Sequence, residues 1–461
     1  MPGDKIGGFS GAYAKAGFDI WHGSGWGDLM GQRVLVLGGY GLIGAEICEA
    51  LDQAGHEVIV AGRNAQAAAR RLPGLAFHHI DMARRLTAEA WQADLQGIDV
   101  VVNCAGALQD GGQDHLEALH HHALAALAEA AKERDSLVIQ ISAIGAQLDS
   151  KILFLSSKAR GDAALLGSGA RAVVLRPGLV LARGAYGGTG LIRMLAALPL
   201  LQASALPEAK MQTVGAADVA QAVCLTVAGQ VPLGRSYDLV EDTPRALPEI
   251  IRAHRTALGF APARIELNAP NWGLGVGTWM ADQLGHLGWR SPLRRTATEV
   301  LRQNILGDPG PWKSVGKPVQ GMEKTLQNLH LGPEHRLQAR MLLLMPICVA
   351  VLALFWLFSG GIGLVSLDQA AAQLTAQGWQ LGLARASVVF WSLVDIGLAT
   401  ALLYRPWARR ACLGMAMVCL IYLSLGTLVT PALWLDPLGP LAKILPALML
   451  SLITWALLEE R

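Results

Sequence analysis

Charged residues are scarce in this chain of 461 amino acids, since Asp, Glu, Lys and Arg make up 16% of it against 52% for hydrophobic residues. Soluble proteins contain about a quarter charged residues, so the shortage indicates a globular part joined to a membrane part. The net charge is only +2. That balance excludes a general polycation for nucleic acid, and the high apolar content excludes a disordered chain.

Cysteine is equally scarce, because only six are present and none forms a Cys-x-x-Cys pair. A disulfide framework is therefore excluded, and the thiols are interpreted as small buried groups in a reducing compartment. Residues 1–29 contain no apolar run that resembles a signal peptide. They are predicted to be an N-terminal extension, either disordered upstream of a start at Met30 or a short ordered arm.

Short β-branched runs then alternate with Ala-rich stretches. This alternation is typical of βαβ units and predicts an α/β domain over 30–265, a Rossmann-like doubly wound parallel sheet with a small substrate region. The six predicted strands lie in the runs 33–39, 57–63, 75–82, 99–106, 137–143 and 172–178.

Beyond residue 340 the chain is strongly apolar and predicts an all-α four-helix transmembrane bundle over 341–461. Each stretch is long enough for a hydrocarbon core of about 30 Å. The expected spans cover about 341–364, 386–404, 411–432 and 438–458. Arg residues before span 1 and between spans 2 and 3 place both termini and the nucleotide domain in the cytoplasm, at the inner membrane.

Residues 266–340 mix Trp with Arg ahead of the membrane part. Indole rings prefer the headgroup zone, and Arg attracts anionic lipid. This segment is therefore predicted to be a linker that docks on the membrane or a Trp-lined lid over the cofactor cleft.

The strongest soluble motif is VLVLGGYGLIG at 34–44, where a predicted strand meets a predicted helix. Its spaced glycines allow a tight turn, close approach of the backbone to a pyrophosphate, and packing of helix on strand. The helix N-terminus then binds the phosphates. The predicted cofactor-binding residues of this turn are Gly38, Gly39, Tyr40, Gly41, Leu42, Ile43 and Gly44.

Residues after the next strands extend this predicted site. Arg63 lies where an acid would bind the ribose hydroxyls of NAD; with Asn64 it suits the 2′-phosphate of NADP, although a solvated loop cation is the alternative. NADP is the expected cofactor and NAD the alternative. Asp81 is either an acceptor for the adenine amino group or a helix N-cap. The remaining predicted contacts are Met82, Cys104, Ala105 and Gly106.

Together these features resemble a known family. GGYGLIG, Arg63, NCAG (103–106), ISAIGA (141–146), the F-x-x-S-K sequence ending at Lys158, and LRPGLVL (175–181) are similar to atypical extended short-chain dehydrogenases/reductases (SDRs). Among these, the NADPH-binding accessory subunit of respiratory complex I is the nearest in character. With its apolar tail, the chain resembles a fusion of such a domain with a DoxX-like membrane domain.

The resemblance implies a Ser-Tyr-Lys catalytic site in which one member is missing. Ser142 matches the Ser that orients substrate, and Lys158 matches the Lys that binds ribose and lowers the pKa of the Tyr. The Tyr position is Phe154, so a general acid worth about 10²–10⁴ in rate is absent there. Arg176 is expected near the nicotinamide.

Two further patterns of ionisable residues bear on function. The run His120–His122 is predicted to be an exposed helix face without metal, because adjacent helix residues point about 100° apart. Asp395 lies within span 2, where an ionisable group usually faces the bundle interior. With Trp391 it is predicted to form a membrane pocket for a quinone or a proton, and Arg385 and Lys443 are its candidate ion-pair partners.

Two functions from different classes follow. The first is a membrane-anchored NADP(H)-binding oxidoreductase that passes reducing equivalents to a quinone, another lipophilic acceptor or a membrane protein partner. The second is a non-catalytic NADP(H)-binding sensor or assembly module, because Phe154 replaces the Tyr.

Overall fold

The computed structural model describes residues 31–458 except 108–114, 290, 292, 294, 305, 316 and 438. The predicted extension 1–29 lies outside the described residues. The soluble part is built on a parallel sheet of seven strands in the order β11-β6-β5-β4-β1-β2-β3. The strands of the chain are β1 (Arg33–Leu37), β2 (Glu57–Gly62), β3 (Ala76–His79), β4 (Val100–Asn103), β5 (Leu137–Ile141), β6 (Ala172–Pro177), β7 (Leu179–Leu181), β8 (Leu201–Ser204), β9 (Lys210–Met211), β10 (Thr213–Gly215), β11 (Arg235–Leu239), β12 (Arg245–Ala246) and β13 (Ile265–Asn268).

This strand order confirms the Rossmann-like doubly wound sheet. All six predicted strands are present. The seventh strand, β11, pairs in parallel with β6 and was not predicted from the sequence. Its sequence RSYDL buries only Tyr237 and Leu239 fully, because an edge strand needs apolar side chains on one face alone.

Helices cover both faces of the sheet, as the continuous apolar strands require. Helices α1 and α7 contribute to one apolar layer and helices α4 and α5 to the other. The helices of this part are α1 (Leu42–Gln53), α2 (Ala65–Arg71), α3 (Ala88–Trp91), α4 (Ala123–Glu133), α5 (Leu153–Gly167), α6 (Gly187–Ala196), α7 (Ala216–Val227), α8 (Leu247–Ala257), α9 (Asn271–His286), α10 (Arg295–Arg302), α11 (Gly310–Lys313) and α12 (Met322–Asn328).

The C-terminal part is helical and apolar. Among the described residues, three helices are long and apolar enough to cross a membrane: α13, α15 and α16. Its helices are α13 (Pro333–Val365), α14 (Leu367–Thr375), α15 (Leu381–Leu403), α16 (Arg405–Val429) and α17 (Ile444–Leu457). They bury a core of their own that includes Trp356, Ala399 and Met415.

The fourth predicted span differs from the structure. Helix α17 has 14 residues, Ile444–Leu457, so it begins six residues after the start of the predicted span and ends one residue before its end. The segment before it contains Pro437, Gly439 and Pro440, and these residues delay the start of the helix.

Helix α13 physically joins the two parts. Its 33 residues begin eight residues before the predicted span, because its first turns pack on the soluble part. Arg336 Nε donates to the carbonyl of Leu258 at 2.8 Å, and the guanidinium groups of Arg336 and Arg340 lie 5.7 and 5.3 Å from the Phe260 ring centroid. A single continuous helix therefore links the soluble domain to the apolar core.

Candidate functional site

The glycine turn after β1 has the geometry of a phosphate-binding turn. Gly38 has φ +70°, and a Cβ there would lie 3.0 Å from the backbone of Ala105. A Cβ at Gly44 would meet the Gly39 Cα at 2.8 Å. The Gly41 N–H donates to the Gly38 carbonyl at 2.9 Å, and α1 begins directly afterwards. Larger residues at these positions would close the turn.

Tyr40 joins this turn to the end of β2. Its hydroxyl oxygen accepts the backbone N–H groups of Arg63 and Asn64, each at 3.2 Å. Its ring lies so close to Gly62 that a Cβ there would approach ring carbon Cε1 to 2.5 Å. Tyr40 thus fixes the backbone of Arg63, whose side chain is exposed. The Asn64 side chain caps α2 by accepting from the Ala67 N–H at 3.0 Å.

The other residues of the turn contribute packing. A Cβ at Gly39 would lie 2.9 Å from Cys48 Sγ, so this glycine lets α1 approach β1. Leu42 and Ile43 are half-buried against the core. Asp81 precedes a short 3₁₀ turn without capping it through its side chain; its carboxylate instead pairs with Arg84 at 3.2 Å. Met82 is buried in the core.

The NCAG segment after β4 faces the glycine turn. Asn103 is buried; its Oδ1 accepts the Ala105 N–H at 3.1 Å, and its amide donates to Gln140 at 2.7 Å. The Cys104 N–H donates to the Leu37 carbonyl at 2.9 Å. A Cβ at Gly106 would lie 3.6 Å from His120 Nε2 and 3.7 Å from Lys158 Nζ. His120 and Lys158 therefore meet beside Gly106.

Ser142 belongs to a buried polar group at the ends of β5 and β6. Its hydroxyl donates to Asp162 Oδ2 at 2.8 Å, and Arg176 donates to the same oxygen at 3.0 and 3.1 Å. Burial raises the pKa of the Asp162 carboxyl, while Arg176 and Ser142 act in the opposite direction. Asp162 Oδ1 is buried and lacks a hydrogen-bond partner among the described residues.

Lys158 lies one helical turn before Asp162 on α5. Its ammonium group is buried, donates to the Ile141 carbonyl at 3.3 Å, and lies 5.8 Å from the Phe154 ring centroid. Burial lowers the pKa of Lys158, and the nearby Asp162 partly offsets this effect. The structure thus brings Ser142, Lys158 and Arg176 together around Asp162, a residue that the sequence reasoning did not single out.

His120 is buried, so the prediction that the whole run His120–His122 is exposed is wrong. It is 3% exposed; its Nε2 accepts the Ala107 N–H at 3.2 Å, and its Nδ1 lies 3.0 Å from Ser157 Oγ. Burial, followed by the charge of Lys158, lowers the pKa of His120 to about 2. Its ring packs edge-on against Phe154 at 5.8 Å. His120 is therefore a neutral support for the loop after β4.

The geometry of the two following histidines also differs from expectation. Residues 118–122 form a π-helical turn, which brings ligand atoms of Glu117, His121 and His122 within 4.8 Å of one another. The Glu117 carboxylate is paired with the Arg160 guanidinium and lies 3.3 Å from His121 Nδ1.

Asp395 lies in a buried polar group between α13 and α15. Its Oδ2 accepts from Ser359 Oγ at 2.8 Å, while its Oδ1 and the Trp356 Nε1 are buried without partners among the described residues. Trp391, one helical turn before Asp395 on α15, contacts the Tyr422 ring edge-on, with the two ring centroids 5.2 Å apart.

The candidate ion-pair partners of Asp395 are placed elsewhere. Arg385 pairs with Asp368 at 2.7 Å and lies nearly three helical turns before Asp395 on α15, so the candidate pairing of Arg385 with Asp395 is not formed. Lys443 precedes α17 and is exposed.

The turn and its surroundings fit a dinucleotide. The turn offers N–H donors at a helix N-terminus, the glycines leave it open, and the adjacent strand ends meet at one sheet edge. Fold and site therefore define a Rossmann-type nucleotide-binding domain joined to an apolar helical domain.

Family comparisons agree. Residues 34–158 match the NAD dependent epimerase/dehydratase family and residues 353–452 match the DoxX-like family. The chain thus combines a segment similar to the epimerase/SDR-like Rossmann domain with a C-terminal DoxX-like segment. No curated protein sequence matches it.

Solved structures agree in fold. The epimerase Mth375 of Methanothermobacter thermautotrophicus is 15% identical over 66% of this chain and 92% of its own, with a TM-score of 0.50. Two Bordetella bronchiseptica enzymes are also similar: WbmG in complex with NAD (18% identical, 65% of this chain and 93% of its own covered, TM-score 0.48) and WbmH in complex with NAD+ (22% identical, 51% and 86% covered, TM-score 0.43).

Proposed function

We propose that the protein is a membrane-anchored oxidoreductase that binds NADP(H) and reduces or oxidises a lipophilic partner such as a quinone. One observation carries this proposal. The Gly38 turn, the Ala105–Gly106 loop and the buried Ser142–Asp162–Lys158 group all lie at the carboxyl-terminal ends of the parallel strands. A bound nicotinamide nucleotide supplies hydride transfer. The residues around it bind the nucleotide and manage a proton.

Arg63 supports NADP rather than NAD. Its backbone is fixed by the Tyr40 hydroxyl at the end of β2, the position where the adenosine ribose of a dinucleotide lies in Rossmann folds. A guanidinium group there binds a 2′-phosphate through two parallel hydrogen bonds.

Ser142 and Asp162 provide a proton path in place of the missing Tyr hydroxyl. Ser142 already donates its hydrogen to Asp162, so its oxygen is free to accept from a substrate hydroxyl. As that hydroxyl proton moves to Ser142 Oγ, the Ser142 proton moves to Asp162 Oδ2, and Arg176 steadies the carboxylate. Reduction uses the same path in reverse, and burial of Asp162 favours the protonated form that this direction requires.

The membrane pocket has a separate task in this proposal. Arg336 and Ser359 lie on the same helix, 23 residues apart, which places the Asp395 pocket about 35 Å along α13 from its contact with the soluble domain. Hydride transfer requires reacting atoms about 3–3.5 Å apart. The head group of the lipophilic partner therefore has to reach the soluble cleft in order to react. The Asp395 pocket holds the rest of that partner, or a proton, within the bilayer.

The proposed orientation places the soluble domain and both termini in the cytoplasm, on the inner face of the cytoplasmic membrane. Arg405, Arg409 and Arg410 at the junction of α15 and α16 support it, because basic residues favour the cytoplasmic side. Reporter fusions at the two ends that report opposite sides would contradict this topology.

Oxidation of NADPH by the intact protein in lipid nanodiscs tests the proposal. We expect sustained NADPH oxidation with quinones and its loss in Gly41→Asp, whose carboxylate would repel the pyrophosphate. Asp395→Ala is expected to lower the rate with long-chain quinones and to leave the rate with water-soluble short-chain quinones unchanged. Tight NADPH binding without oxidation by any quinone would contradict an oxidoreductase.

That outcome would favour a second function, a non-catalytic NADP(H)-binding module that senses redox state or stabilises a membrane assembly. Phe154 is the observation in its favour, because its ring packs against His120 and beside Lys158 where the family's Tyr hydroxyl belongs. Bound nucleotide would then raise the unfolding temperature without being consumed.

A further inference from the structure

Helix α9 has its apolar side facing outward. Trp272 and Trp279 are 76% and 63% exposed, and Val276 and Met280 are exposed as well. These four residues follow the spacing i, i+4, i+7, i+8, so they share one face of the helix. The residues that α9 buries, Leu274 and Ala281, lie seven apart on the opposite face.

The strand before α9 also exposes apolar residues. Both Ile265 and Leu267 on β13 are about half exposed, and residues two apart in a strand point to the same side. Exposed apolar residues in such number on neighbouring elements indicate a surface that is covered in the working protein.

The C-terminal end of α9 is attached to the apolar helices. The Arg405 N–H donates to the Leu287 carbonyl at 2.9 Å, and Trp289 Nε1 donates to the Leu403 carbonyl at 2.6 Å. The Arg405 guanidinium lies 5.5 Å from the Trp289 ring centroid. Leu403 ends α15 and Arg405 begins α16, so α9 ends at the level at which two candidate membrane spans leave the bilayer.

We propose that α9 lies on the lipid surface beside these helices, with Trp272, Val276, Trp279 and Met280 inserted at the boundary between headgroups and acyl chains. Indole rings prefer this zone, and an amphipathic helix lies in its plane. Such docking would hold the nucleotide domain against the membrane and fix the distance that a lipophilic substrate travels. The proposal depends on the membrane insertion of α15 and α16 but not on nucleotide binding.

Site-directed spin labelling of the full chain in lipid nanodiscs tests this docking. Val276→Cys and Met280→Cys place labels on the proposed lipid face, and Gln53→Cys, exposed at the end of α1, is the matched aqueous control. The native soluble-domain thiols react slowly, because burial raises the pKa of Cys48 to about 12 and of Cys224 to about 11. Wild-type protein treated identically supplies the background signal.

Labels at 276 and 280 are expected to collide with oxygen more often, and with a water-soluble nickel chelate several-fold less often, than the label at 53. Nickel accessibility equal to that of position 53 would show that α9 faces water and would overturn the proposal. Spin–spin broadening that disappears on dilution with unlabelled protein would show a second copy on this face and would also overturn it. Circular dichroism of each variant verifies that it is folded.

Discussion

Replacing Gly38 by alanine tests whether the turn binds a phosphate. The test must separate a loss of binding from the backbone strain that any side chain causes at a glycine with positive φ. Gly38 has φ +70°, and a Cβ there would lie 3.0 Å from the Cα and N of Ala105. Gly74, in the loop before β3, is the matched control: it has φ +97°, and a Cβ there would meet nothing within 4 Å. Both substitutions cost about 1–2 kcal/mol for a left-handed backbone.

The two variants are expected to diverge in stability and more strongly in binding. Gly38→Ala must also displace the backbone of Ala105, which adds about 1–3 kcal/mol of overpacking, whereas Gly74→Ala carries only the backbone cost. Because the displaced backbone lines the pyrophosphate site, Gly38→Ala should weaken NADPH binding at least tenfold, about 1.4 kcal/mol. Gly74→Ala should leave the NADPH affinity unchanged.

Calorimetric titration of NADPH into each variant in nanodiscs measures the affinities, and thermal unfolding followed by circular dichroism measures the stability loss. If Gly38→Ala bound NADPH as tightly as Gly74→Ala and wild type, the assignment of this turn to a pyrophosphate would be wrong. Loss of affinity in both variants would point to general unfolding, which the circular dichroism signal would reveal.

Three further predictions address charge. Arg63→Asp should reverse the preference from NADPH to NADH by at least tenfold in the ratio of Kd values, and an unchanged ratio would leave Arg63 as a loop cation. Asp162→Asn should lower kcat about 10²–10⁴-fold with little change in NADPH affinity; a loss of affinity with kcat intact would refute the proton path. Burial lowers the pKa of His254 to about 4, so its contribution to stability is complete above its unfolded pKa of about 6.5 and declines by about 3 kcal/mol as pH falls to 4. His254→Gln should flatten that decline in pH-dependent unfolding, and an identical slope would contradict it.

Local patterns were enough to predict the sheet and the glycine turn. The six recognised strands are continuous apolar runs, because a strand covered on both faces must be apolar throughout. Strand β11 escaped recognition since only Tyr237 and Leu239 face the core. The start of the last helix was predicted too early. Pro437, Gly439 and Pro440 lie at the beginning of the last hydrophobic stretch and delay the helix, and mean hydropathy does not show this effect.

The chemistry of the site was only partly visible in the chain. Asp162 follows Lys158 by four residues, the spacing that puts both on one face of a helix, and this signal could have revealed it. His120 could not be distinguished from its neighbours, because which member of a histidine run is buried depends on the π-helical turn and on Ser157 across the interface.

The order of residues along the chain by itself determined a βαβ domain with a phosphate-binding turn, followed by helices long enough for a bilayer, because strand, helix and glycine-turn signals depend on short-range periodicity. Tertiary structure alone decided which polar groups meet. Ser142 follows the end of β5, Asp162 lies on α5 and Arg176 on β6, and they converge only when parallel strands align their ends. It alone also decided that the tryptophans of α9 face outward, since the orientation of a helix depends on what packs behind it.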